Sequence, residues 1–110
     1  MVIIRITRDQ DNNITSYSVK GHADAAERGE DIVCASISIL AQTTILALHE
    51  IAAIDIMYEV NDGYVFCKLP DELSKEKREK ASIILNTFHI GIRGTQGMYA
   101  RYIELHDEEV

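Results

Sequence analysis

The chain has 110 residues, of which 46% are hydrophobic and 26% charged, with a single proline. This suits one compact domain over residues 1–110 and excludes a disordered or low-complexity chain. Net charge is −7, from 18 acidic against 11 basic residues. That argues against direct contact with nucleic acid, since phosphate binding calls for a basic face; a basic polypeptide is the better electrostatic match.

In chain order, Val2, Ile4 and Ile6 alternate with Ile3, Arg5 and Thr7, which predicts a strand with one more polar face. Asp9 to Asn13 is a polar turn cluster, and Ile14 to Lys20 completes a hairpin. The loop from Gly21 to Glu30 is rich in alanine and charge. From Asp31 the period changes. Val33, Ile37, Leu40, Ala41, Thr44, Ile45, Leu48 and Ile51 recur at helical spacing, with Asp31 as the expected N-cap.

Ile56 to Val60 and Tyr64 to Leu69 predict a second hairpin around Asn61-Asp62-Gly63. Pro70 and Asp71 lead to a second helix starting near Ser74, with Ala81, Ile84, Leu85, Phe88 and Ile92 on its apolar face. Gly94 and Gly97 are expected to end it. Tyr99 to Leu105 reads as a last strand, and Asp107 to Val110 as a frayed acidic tail. The expected order is ββαββαβ, an α/β (α+β) domain in which a sheet packs with two amphipathic helices.

No apolar run is expected to approach the ~20 residues that span a bilayer. Arg5 and Arg8 interrupt the first strand, unlike a signal peptide. No membrane partner and a cytoplasmic location are expected. The two cysteines, Cys34 and Cys67, are then expected as free thiols.

Cys34 carries the chemistry. With Asp31 as N-cap it would fall in the first helical turn, where unpaired amides and the helix dipole favour thiolate, the nucleophilic form. His22 stands at the end of the second strand, before the loop that returns to Cys34, and is placed to take the thiol proton and then protonate a leaving amine. Asp31 has two readings, as helix cap or as the group that orients His22. Ser38, one turn beyond Cys34, either hydrogen-bonds within the site or back-bonds to the Cys34 carbonyl. The amides of Val33 and Cys34 are candidate oxyanion donors only if Asp31 leaves them free.

Cys67 alternates with Val65 and Leu69 and reads as a small core residue. No C-x-x-C or H-x-x-x-H spacing marks a metal site, and no cofactor is expected.

Gly21-His22, followed by Asp31-Ile-Val-Cys34-Ala-x-x-Ser38, resembles the ribosomal-processing cysteine protease family, Prp. The likeness extends to the opening hairpin, to Asp62-Gly63-Tyr64 and to Leu69-Pro70 before the second helix. It implies a cysteine endopeptidase with a Cys-His dyad, matching Cys34 as nucleophile and His22 as base, with Gly21, Asp31 and Ser38 in supporting positions. It further implies a homodimer. The implied substrate is the N-terminal extension of large-subunit ribosomal protein L-twenty-seven. Residues that read the substrate are not indicated. The rival reading is a non-catalytic ribosome-associated binding or assembly module that keeps Cys34 for packing.

Overall fold

A computed structural model describes residues 1–21 and 28–109, with residues 28–30 as backbone only. The element order is β1 (Val2–Arg8), β2 (Ile14–Lys20), α1 (Arg28–Glu50), β3 (Met57–Asn61), β4 (Tyr64–Lys68), α2 (Lys75–Met98), a 3-10 turn (Ala100–Tyr102) and β5 (Ile103–Glu109). It is the expected ββαββαβ arrangement in one compact α+β domain. The five strands form one sheet in the order β3-β4-β2-β1-β5. All neighbours are antiparallel except β1 and β5, which run parallel with Val2 opposite Ile103.

Strand alternation decides which face the helices cover. Val2, Ile4 and Ile6 of β1, Tyr17 and Val19 of β2, and Val65 and Cys67 of β4 are all buried. Both helices lie over that face. α1 contributes Val33, Ile37, Ala41, Ile45 and Leu48, while α2 contributes Ala81, Leu85, Phe88 and Ile92. Each fully buried Ile, Leu or Phe contributes about 1.5–3 kcal/mol. The ring of Tyr17 lies 4.2 Å from that of Phe88, and its hydroxyl donates to the carbonyl of Ala41 at 2.7 Å. One residue thus joins β2 to both helices. Where α1 and α2 meet, a Cβ on Gly91 would stand 2.8 Å from Leu40 Cδ2, so the glycine makes room for the leucine.

Four sequence expectations are corrected. First, α1 begins at Arg28, so Asp31 lies inside the helix and is not its N-cap. Gly29, expected in the loop, is helical: a helical glycine costs only about 1 kcal/mol, which the packed length of α1 outweighs. Second, α2 runs through Gly94 and Gly97 to Met98 for the same reason; its start is as expected, with Ser74 Oγ accepting from the Lys77 amide at 3.2 Å. Third, Ile51 lies beyond α1 and is exposed.

Fourth, Asp107 and Glu108 belong to β5 and are tied down. Arg8 donates to both carboxylate oxygens of Asp107, at 2.8 and 3.1 Å, and Arg5 to Glu108 at 3.1 Å. β1 carries the cations that its parallel neighbour needs.

The segment Asp31–Glu50 is also long and apolar enough, by length and composition, to cross a membrane. This differs from the expectation that no apolar run approaches that length: Ser36, Ser38, Gln42, Thr43 and Thr44 are spread among enough apolar residues to keep the mean high. Its inner stripe is packed on the sheet, as in a core helix.

The Arg8–Asp107 pair includes His89 of α2. The His89 ring sits 3.4 Å from Arg8 Nη2 through Nδ1 and 3.5 Å from Asp107 Oδ2 through Nε2. A neutral ring that accepts at Nδ1 and donates at Nε2 satisfies both neighbours. Burial, opposed by Asp107 and aided by Arg8 and Arg93, lowers the His89 pKa. The hydrogen bond from Arg8 lowers that of Asp107.

Both folded-state values are depressed, so both groups contribute stability above their unfolded pKa and lose it as pH falls. Stability is expected to decline below about pH 6.5 through His89 and again below about pH 4 through Asp107. Asp107→Asn should cost about 1 kcal/mol at pH 7 in urea unfolding, allowing for its partial exposure. It should also flatten the lower of the two declines. An unchanged midpoint and pH profile would show that β5 does not depend on this cluster.

Candidate active site

The site is built where β2 ends against α1. Gly21 follows the last residue of β2 and is buried. A Cβ placed on it would stand 3.1 Å from Cys34 Sγ and 3.3 Å from Val2 Cγ2. A side chain at this position would push the sulfur or Val2 aside by a few tenths of an ångström, so glycine suits the close approach of strand end and thiol. Cys34 is half-buried and packs on the core cluster, with its thiol beside the strand end.

Gly21 is held from its other side. Its amide donates to the carbonyl of Gly63 at 3.0 Å. Gly63 lies in the two-residue turn between Asn61 and Tyr64, with φ +77°. A Cβ there would meet the Gly21 carbonyl oxygen at 2.6 Å. Gly63 is therefore fixed twice, by its left-handed backbone and by the closeness of Gly21. Sequence reading had it only as a turn residue, because nothing local signals a contact between residues 21 and 63.

The earlier start of α1 changes the chemistry expected at Cys34. The cysteine falls in the second turn rather than the first. There the i→i−4 ladder engages the amides of Val33 and Cys34, so neither is a free oxyanion donor. Dipole stabilisation also fades beyond the first turn.

Asp31 is exposed, one turn before Cys34 on the same side of α1. Ser38 is half-buried one turn after Cys34, and its oxygen accepts from Gln42 Nε2 at 3.0 Å. The back-bonding to a helix carbonyl considered for Ser38 is made instead by Ser36, which donates to Ile32 at 2.8 Å. Gln42 was not singled out in the sequence, though its i+4 spacing from Ser38 is a local signal. His22 lies outside the described residues.

Cys67 is a core residue, as expected, and 1% exposed. Burial pushes its thiol up to about 11, a poor state for a nucleophile at neutral pH. Cys34 is the accessible one of the two sulfurs. Among the described residues no three His, Cys, Asp or Glu side chains gather as a metal site would require.

The sequence model of the family described as cysteine protease Prp matches residues 1–104. The chain belongs to that family. It is a cysteine protease, which sets aside the non-catalytic reading. It is 27% identical to the ribosomal processing cysteine protease Prp of Bacillus subtilis over 101 residues, 90% of each chain. It also resembles two crystal structures of the essential ribosomal processing protease Prp from S. aureus. One is in complex with a substrate peptide, with TM-score 0.86 and 24% identity over 97% of this chain and 99% of that one. The other holds a covalently linked product peptide, with TM-score 0.81, 25% identity and the same coverage.

Substitutions at two glycines separate a supported turn from open helix. Gly63→Ala should lower stability by at least about 1–2 kcal/mol in urea unfolding, from the left-handed backbone alone. Gly97→Ala, with nothing within 4 Å of its Cβ and helix on either side, should leave stability unchanged or raise it by about 0.5–1 kcal/mol. Equal effects would mean that the left-handed turn at Gly63 does not depend on glycine.

Proposed function

We propose that Cys34 and His22 are the catalytic dyad and that the substrate is the N-terminal extension of ribosomal protein L-twenty-seven. The observation that carries this reading is the seat of Cys34 Sγ against Gly21. His22 is the next residue, and consecutive Cα atoms are about 3.8 Å apart. Adjacency in the chain to Gly21, which stands beside the sulfur, supports His22 as its base. The covalent product held by the staphylococcal relative supports a nucleophilic route, and the relatives' processing of ribosomal protein supports the substrate.

His22 takes the Cys34 proton, and the thiolate attacks the scissile carbonyl carbon. The tetrahedral oxyanion collapses to a thioester as the C–N bond breaks, and His22 returns the proton to the leaving amine. Water then adds to the thioester, giving up a proton to His22. The C–S bond breaks, releasing the carboxylic product and restoring the thiol. Asp31, one turn from Cys34 and not committed to capping, orients His22. Ser38 and Gln42 line the next turn.

The acidic chain suits a basic ribosomal protein. A cytoplasmic location and a homodimer complete the reading. Ile83, Ile90 and Met98, exposed along one side of α2, offer apolar surface for the second copy.

Incubation of the purified chain with unprocessed L-twenty-seven, followed by intact mass, should reveal one new N-terminus. Cys34→Ala should abolish cleavage, and His22→Ala should slow it by about 10²–10⁴-fold. Cys67→Ser should cleave within a few-fold of wild type once its lower stability is allowed for. Equal loss in the Cys34 and Cys67 variants would overturn the assignment.

A further inference from the structure

β3 is an edge strand, and its helix-side face is uncovered. Tyr58 pairs with Cys67 and Val60 with Val65, so all four side chains point to the face on which the helices lie. Cys67 and Val65 are buried there, yet Tyr58 is 60% and Val60 44% exposed. α1 passes alongside β3 without covering it. Between them runs a groove of about 390 Å³, walled by Gln42, Ile45, Leu46 and His49 of α1 and by Tyr58 and Val60 of β3. This is within the usual size of ligand pockets, about 300–1,000 Å³.

The groove lies along α1 beyond Cys34, its near end marked by Gln42, which bonds to Ser38. α1 runs away from Cys34 while β3 runs toward the Gly63 turn, which is bonded to Gly21. The flank of α1 that carries Cys34 continues through Ser38, Gln42 and Ile45. Gln42 stands two turns beyond Cys34 and Ile45 three, about 12 and 16 Å at ~1.5 Å per residue. An extended peptide covers ~3.3 Å per residue, so this span is about four to five residues.

From this continuity we infer that the α1–β3 groove is the substrate-specificity pocket of the protease, taking a large apolar side chain about four to five residues from the scissile bond. The inference rests on Cys34 as nucleophile. An extended peptide whose carbonyl lies at Cys34 must leave the site in some direction, and this groove lies along one such direction, starting at Gln42. Ile45, Leu46, Tyr58 and Val60 supply contact to aliphatic or aromatic groups, while His49 and Asp55 add polar groups to the lining at the end away from Cys34.

The test uses the Cys34→Ala protein, which binds without turnover, and labelled peptides spanning the extension of L-twenty-seven. Each apolar residue is replaced in turn by Ser, and affinity is read by fluorescence anisotropy. One replacement, about four to five residues from the cleavage point, should weaken binding by tenfold or more. In a Leu46→Ser, Tyr58→Ser background that same replacement should cost less than about threefold, because peptide and groove share one contact. Both substitutions are at exposed positions, and a thermal melt checks the fold. Sedimentation should show an unchanged oligomeric state.

Retention of the full discrimination by the groove variant overturns the groove, even if wild type cleaves the parent peptide. Conversion of dimer to monomer by the same variant also overturns it, in favour of a second copy on this face. Binding and discrimination without cleavage by wild type would overturn the dyad and leave the groove standing. No binding by any peptide overturns both.

Discussion

The contact between Gly21 and Cys34 Sγ is the constraint on which the site depends. It holds the end of a central strand against a helix that crosses the same sheet. It is favoured by the small residue at position 21, the half-buried thiol at 34 and the Gly63 turn bonded behind. Each piece is set by ordinary folding forces. The β1–β2 hairpin fixes Gly21 at the end of β2. The stripe of Val33, Ile37 and Ala41 fixes the rotation of α1, and so the direction of Cys34. The turn between β3 and β4 places Gly63 where only glycine fits. The catalytic geometry is therefore linked to core packing at a distance from the sulfur.

The start of α1 shifts the source of thiol activation. A cysteine in the first turn would draw on free amides and the full end of the helix dipole. In the second turn it does not, and Asp31 is released from capping. In the proposed dyad, general-base assistance from His22 then carries more of the task, with oxyanion donors from outside the first turns of α1. Cys67 is chemically quiet for the opposite reason: burial beneath the helices raises its pKa and removes access.

Much of this was legible in the sequence, and the misses have physical causes. Period-2 alternation in β1 and period-3.6 spacing in α1 and α2 reveal which faces are buried, because burial itself creates those patterns. The Asp62-Gly63 turn is equally local. Helix ends were less legible: Gly29 falls in the expected loop, and Gly94 and Gly97 look like breaks, yet tertiary packing outweighs about 1 kcal/mol of propensity. The acidic run from Asp107 reads as a tail until Arg5 and Arg8, about a hundred residues earlier, are found beside it. The Gly21–Gly63 contact and the uncovered face of β3 depend on strand order, which no local pattern encodes. Cys34, Asp31 and Ser38 stand out from the helix-start pattern itself, and Gly21 joins them through resemblance to the family. The structure adds the reason Gly21 belongs with the cysteine.

The central claim, that the strand end delivers His22 to Cys34, is tested most directly by the rate of Cys34 alkylation with iodoacetamide against pH, in wild type and in His22→Ala. Peptide mapping assigns the label to Cys34 rather than Cys67. The account predicts a step in the wild-type rate in the histidine range, near ~6.5, that is absent from the variant. Superimposable profiles would contradict it.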